Sequence, residues 1–291
     1  MSRARRFLMF PLTRILIAAA VFVVPQMLYG IVADALGLVP LMVATATVST
    51  LAVVLAFYVA GVVIERRRPG ELGLVSRRGL AADTLRGFGL GTALFASVML
   101  LMQLAGLAHI TALPSPSLGG VAVGLLTMLL VAITEEVIMR GIFFRVLEEW
   151  LGSWGALLLS AMLFGALHLG NQHATLWAGV AIALEAGLLL ASLYMLTRSL
   201  VFVSAVHWAW NFNEGFIFGN AVSGGKTASL LQTTTSGPDA WTGGEFGPEA
   251  SLIAVLVCGA VMIVALVLAV RRGLVRPPAR KLAVTAPRDG R

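Results

Sequence analysis

Charge is what this sequence has least of. Only 12% of its 291 residues are Asp, Glu, Lys or Arg, against about a quarter in a soluble globular domain. Hydrophobic residues make up 58%, and mean hydropathy is +0.92. That shortfall excludes a soluble enzyme and a disordered chain. Cysteine is nearly missing as well. Cys258 is the sole one, so no internal disulfide can form and a disulfide-stapled secreted domain is excluded. It sits in an apolar run with no His or acidic neighbour in sequence, which reads as packing. Lysine is confined to Lys226 and Lys281, and aspartate to Asp34, Asp83, Asp239 and Asp289. No apolar segment therefore offers a Schiff-base lysine or an aspartate dyad. His-Glu-x-x-His and Gly-x-Ser-x-Gly do not occur, which removes the zincin and nucleophile-elbow signatures. The short alternating segments of an outer-membrane barrel are missing too.

What is present is apolar length. A membrane helix needs roughly 20 residues, and eight segments qualify, at about 15–32, 40–64, 84–108, 118–139, 154–169, 176–197, 200–218 and 252–270. The fold class expected is an all-α polytopic membrane protein, a bundle of about eight transmembrane helices around an intramembrane polar cavity. Basic residues segregate to alternate connections. One set holds Arg3, Arg5, Arg6 and Arg14; Arg66, Arg67, Arg68, Arg77, Arg78 and Arg86; Arg140 and Arg145; Arg198; and Arg271, Arg272, Arg276, Arg280 and Lys281. The other set, 33–39, 109–117, 170–175 and 219–251, holds only Lys226. This pattern predicts an even number of spans with both termini cytoplasmic, in a bacterial cell membrane. It also explains the net charge of +7 through topology, with no nucleic acid as partner. The N-terminal apolar stretch is long and lacks a cleavage site, so it is read as a retained helix. Residues 1–275 form one transmembrane domain, and 276–291 a basic, proline-containing tail expected to be disordered. The connection 65–83 is expected along the interface. The Gly-, Ser- and Thr-rich segment 220–250 is expected to be a flexible outer loop. Small residues four apart, at Gly87/Gly91, Gly120/Gly124, Ala161/Gly165 and Gly215/Gly219, suit close helix approach in lipid.

An ionisable group within such a segment is costly and marks function by default. Few exist: Glu135 and Glu136 in the fourth, His168 in the fifth, Glu185 in the sixth, and His207 with Asn211 in the seventh. Glu214 follows near that helix's outer end. Glu136 and Arg140 stand at i, i+4 with the acid first, the favourable order for a pair. Glu135 is turned by about 100° and has no such partner. One carboxylate is thus clamped, and the other is left free for acid–base work. Phe164 and His168 share a helix face, as do His207 and Asn211, a pair able to donate toward an oxyanion. Glu185 has two readings, a place on the same cavity wall or a pairing with a His. Counted along straight helices, Glu135 and His207 lie roughly 15 Å from their flanking arginines, and His168 about 6 Å deeper.

Glu135-Glu136-x-x-x-Arg140, Phe164-x-x-x-His168 and His207-x-x-x-Asn211, in that order, resemble the three motifs of the CPBP family. These are the CAAX proteases and bacteriocin-processing enzymes, also called Abi. The motif core spans 120–216, and Glu71-Leu-Gly-Leu resembles a weaker upstream feature. The resemblance implies an intramembrane glutamic endopeptidase acting on a membrane-associated peptide or protein. Glu135 with His168 would activate a water. Glu136, Arg140 and Phe164 would support them, and His207 with Asn211 would form the oxyanion hole. No cofactor is implied by this reading. Older descriptions of the family name a metalloprotease, and two His and a Glu leave a divalent metal open. Two other classes suit a polar bundle: a non-proteolytic scaffold or peptide-toxin immunity protein, and a proton-coupled transporter. The chain has no visible repeats or broken-helix pairs, which argues against the transporter.

Overall fold

The computed structural model describes residues 3–37, 42–74, 79–112 and 118–279. Arg77, Arg78, Arg280 and Lys281, used above for orientation, lie outside them, as does the tail from 280 on.

Six helices are long and apolar enough to cross a bilayer. Five of them are α1 (Pro11–Ala35), α2 (Met42–Ile64), α3 (Leu80–Leu104), α6 (Leu176–Thr197) and α8 (Leu252–Arg271). The sixth, Leu118–His168, has 51 residues, about twice what one crossing requires. It breaks at Gly152, whose φ of 76° and ψ of 174° no helix tolerates. It is therefore two spans: α4 (Leu118–Glu136), prolonged by a π-helical stretch Val137–Phe144, and α5 (Arg145–His168). A further helix, α7 (Leu200–Phe212), runs on through a π turn, Asn213–Ile217. Its polar residues keep it out of the apolar group, because they line the interior. The eight-span bundle expected from hydropathy is thus the architecture found. Its lipid-facing belt includes Leu16, Val24, Leu104, Leu126, Leu158 and Leu256.

Small residues set the closest approaches. A Cβ at Gly87 or Gly91 would run into the backbone carbonyls of Phe202 and Val206, so α3 and α7 touch through their main chains. Gly165 meets Gly179 and Ala183 in the same way, and Gly187 meets Ala161. Gly215 and Gly219 differ: they face Val222, Thr227 and Ser229 of the following loop rather than another span. Gly91→Leu is expected to cost on the order of 1–3 kcal/mol by overpacking and to lower the midpoint of thermal unfolding. Gly89→Leu, with nothing within 4 Å of its Cβ position, should leave that midpoint unchanged. Equal midpoints for the two variants would refute this account of the contact.

At the arginine-rich end, Arg14 reaches Glu65 at 3.2 Å and Glu149 at 2.8 Å. Arg145 also holds Glu65, and Arg67 holds Glu149. Arg198 forks onto Glu148 at 2.6 and 2.8 Å. Glu71 accepts from the Arg68 amide at 2.7 Å, Leu72 is fully buried against Gly61, and the Gly73 carbonyl accepts from the Leu200 amide at 3.1 Å. The Glu-Leu-Gly-Leu segment thus ties the second connection to the start of α7. The beginning of the tail departs from the expected disorder. The Ser153 amide donates to the Arg276 carbonyl at 2.9 Å, and the Arg276 amide donates to Ser153 Oγ at 2.8 Å. Only glycine fits at 152, because a Cβ there would strike the backbone of residues 276–278.

The other end carries a cap. Strand β1 (Ala108–Ala112) pairs antiparallel with β2 (Leu231–Thr235), Ile110 opposite Thr233. The segment expected to be a flexible loop is folded. Phe246, Glu249 and Ala250 are buried, Trp177 Nε1 donates to the Ala250 carbonyl at 2.7 Å, and the Gly224 amide donates to the Phe246 carbonyl at 2.8 Å. Its glycines serve left-handed turns, as at Gly224 and Gly243 (φ 83° and 84°), so a composition that reads as flexibility here builds a specific path.

Candidate active site

The motif residues come together in the middle of the bundle. The Arg140 guanidinium bonds Glu136 Oε1 at 2.7 Å, the i, i+4 pair read from spacing. Both side chains are sealed from solvent, at 1% and 0% exposure. The second arm of Arg140 donates to the carbonyls of Ala186 and Gly187 at 3.1 and 3.0 Å. Those two residues lie in a π-helical stretch of α6, Ala183–Leu188. The wider π turn disturbs the i→i−4 ladder and leaves carbonyls free for such a donor. Arg140 also lies over the Phe164 ring, 5.0 Å from its centroid, a cation–π contact in a dry setting. Phe164 in turn touches both histidines, with ring centroids 4.6 Å from His168 and 6.2 Å from His207.

These contacts set the tautomers. His168 Nδ1 lies 2.8 Å from the Phe164 carbonyl. A carbonyl only accepts, so Nδ1 carries the proton and the neutral ring keeps its lone pair on Nε2. His207 Nδ1 lies 2.9 Å from Glu136 Oε1, and its Nε2 is 3.8 Å from Glu135 Oε2. Glu136, held by Arg140, is the acceptor, so His207 too is protonated on Nδ1. Its Nε2 bears a hydrogen only in the imidazolium form.

Glu135 is placed differently from its neighbour. Its side chain is 32% exposed, and Oε2 has no hydrogen-bond partner among the described residues. Three hollows meet at it. The main one, about 250 Å³, is also walled by His168, His207, Asn211 and Glu185. A second, of about 170 Å³, lies between α4 and α5 and includes His168. A third opens between α2 and α4. Asn211 is buried on the main cavity wall, with no hydrogen bond among the described residues, so its amide is free to donate. The expected depth mismatch of His168 closes at its side chain. A helical side chain leans toward the helix N-terminus, and the His168 ring folds back over the turn at Phe164.

Of the two readings of Glu185, the structure shows the place on the cavity wall. Glu185 lines the cavity, 2% exposed, and the Cys258 thiol lies beside it. Cys258 thus has an acidic neighbour in space that the sequence does not show. Ser223, Lys226, Thr227 and Glu249 come from the cap. Glu249 Oε1 accepts from the Ser223 amide and hydroxyl at 2.7 and 2.9 Å. Its own amide donates to Glu214 Oε1 at 3.3 Å, and Trp210 Nε1 donates to Glu214 Oε2 at 3.1 Å. Burial pushes the Glu249 carboxyl up, while His168 and the Ser223 donors pull the other way. The signal for these residues was Lys226, the one basic residue of the segment 219–251.

Among the described residues, no three His, Cys, Asp or Glu side chains converge as a metal ion requires. His207 Nδ1 and His168 Nδ1 are engaged by Glu136 and the Phe164 carbonyl, which leaves their Nε2 atoms and Glu135 for the chemistry of the cavity.

Comparison with curated proteins and with solved structures found no match. A family model does match, over the stretch that carries Glu135, Glu136, Arg140, Phe164, His168, His207 and Asn211. Residues 116–213 of this integral membrane protein match the model of the type II CAAX prenyl endopeptidase Rce1-like family.

Proposed function

We propose that the chain is an intramembrane endopeptidase that hydrolyses a peptide bond near the lipid-bearing C-terminus of a membrane-attached protein, using a water activated by Glu135 and His168. The observation that carries this reading is one cavity bounded by an unpartnered Glu135 carboxylate oxygen, a His168 whose bare nitrogen is Nε2, and an unengaged Asn211 amide. Its orientation in the membrane would put the arginine-rich face and both termini on the cytoplasmic side.

The steps follow from those groups. A water between Glu135 and His168 loses a proton to one of them as its oxygen bonds the carbonyl carbon. The carbonyl π electrons move to oxygen, and the oxyanion takes donors from Asn211 Nδ2 and His207 Nε2. The second donor requires the doubly protonated His207 ring, whose charge Glu136 offsets at Nδ1. As the C–N bond breaks, the stored proton passes to the leaving nitrogen, giving a free amine and a carboxylic acid. Glu136, Arg140 and Phe164 hold the two histidines in place and touch no reacting atom. The mechanism proposed uses no metal.

The test is cleavage of a farnesylated C-a-a-X peptide by the purified protein in liposomes, followed by mass spectrometry. Asn211→Ala is expected to lower kcat by about 10²–10³-fold with little change in KM, the usual cost of losing one oxyanion donor. Absence of any cleavage by the wild-type protein over a panel of prenylated peptides would overturn the reading. Unchanged kcat in Asn211→Ala would remove that residue from the oxyanion hole.

A further inference from the structure

Lys226 is unlike every other basic residue near the cavity. It is exposed on the cap and lies on the main cavity wall that also holds Glu135, His168 and Asn211. It is the sole Lys or Arg lining that cavity, and it makes no ion pair or hydrogen bond among the described residues. The arginines of the opposite end, by contrast, are tied to Glu65, Glu148 and Glu149. Next to it, Thr227 lines the same wall, and its Oγ1 is buried without a hydrogen-bond partner among the described residues. The bridge between Val222 and Gly225 presents the two residues together, with the Val222 amide on the Gly225 carbonyl at 2.8 Å and the reverse bond at 2.9 Å. An ammonium beside a hydroxyl is a donor set for a carboxylate. The nearby acid, Glu249, is turned to Ser223, and burial pushes its carboxyl up, so it does not occupy the lysine.

We propose that Lys226, with Thr227, binds the C-terminal carboxylate of the substrate, so that the cavity measures the distance from the scissile bond to the chain end. This rests on the endopeptidase reading above. In a C-a-a-X end three residues follow the lipid-bearing cysteine, a segment of roughly 10 Å when extended. The chain end would then point toward the cap, and the lipid-bearing part would lie on the Glu135 side, where the hollows between helices open. Lys226 is a specificity residue in this scheme and takes no part in bond cleavage.

The experiment pairs two farnesylated peptides that differ only at the C-terminus, one a free acid and one a carboxamide, against wild type, Lys226→Met and Lys226→Arg in liposomes. Wild type should cleave the acid roughly 10- to 100-fold better in kcat/KM, the range for a hydrogen bond to a charged group, with most of the difference in KM. Lys226→Met should cleave both peptides at the wild-type carboxamide rate, and Lys226→Arg should restore most of the preference. A Lys226→Met protein that prefers the acid as strongly as wild type overturns the proposal, as does a wild type that treats the two alike. The wild-type comparison stands even if a variant fails to fold. Failure of wild type to cleave either peptide is a different outcome: it overturns the endopeptidase reading itself, and this inference with it.

Discussion

Glu135→Gln is expected to reduce kcat by about 10²–10⁴-fold, the range for a lost general base, while the protein inserts and unfolds as wild type does. The substitution keeps the shape of the side chain and removes the acceptor that would take the proton from water. Structure should tolerate it. Glu135 makes no ion pair closer than its 3.8 Å approach to His207, its Oε2 has no hydrogen bond, and a third of the side chain faces the hollows. Its neighbour Glu136 is the reverse case, sealed, with Oε1 engaged by both Arg140 and His207. The measurement is single-turnover cleavage of the prenylated peptide together with the midpoint of thermal unfolding. Activity within threefold of wild type would remove Glu135 from the chemistry. Such an outcome would favour a non-proteolytic scaffold, for which a neutral residue at 135 is as good as an acid.

The distinction between Glu135 and Glu136 was legible in the sequence because helix spacing is local: Arg140 stands four residues after one and five after the other. The span count was legible for the same reason, since apolar length needs no knowledge of the fold. The pairing of Glu136 with His207 was not, because it joins residues 71 apart on α4 and α7. Sequence spacing assigned His207 only to its own helix face with Asn211. The π-helical stretches were also hidden, although each adjoins a polar residue that faces the interior. A π turn depends on what the disturbed carbonyls find as partners, and for Ala186 and Gly187 that partner is Arg140, 46 and 47 residues away.

The cap shows the other kind of failure. Glycine, serine and threonine between 220 and 250 read as a flexible loop, yet Gly224, Gly243 and Gly247 are needed where left-handed turns meet neighbouring backbone. The buried carboxylates of Glu214 and Glu249 then pin the cap to α7 and to Ser223. Composition reports how many conformations a chain can adopt, and not which contacts select one. The same limit applies to Cys258, whose acidic partner comes from α6.

Arg140→Met should cost about 3–5 kcal/mol of stability, the penalty for leaving one member of a buried ion pair uncompensated. The guanidinium bonds Glu136 Oε1 and two α6 carbonyls, and it covers the Phe164 ring. With it gone, Glu136 keeps only His207 Nδ1, and the Ala186 and Gly187 carbonyls lose the donor that the π turn left them. Glu136→Gln/Arg140→Met should therefore be less destabilised than Arg140→Met alone, because no orphaned charge remains. Arg140→Lys should fall between wild type and Arg140→Met: an ammonium preserves the charge, but lacks the planar fork that spans a carboxylate and two carbonyls. Thermal unfolding of the four proteins in one detergent ranks them. A single variant no less stable than wild type, or a double variant worse than Arg140→Met, would refute the view that Arg140 compensates a buried charge. Activity should follow a different order. The double variant recovers fold but not the carboxylate charge that offsets a doubly protonated His207, so its kcat should stay low even where its unfolding midpoint rises.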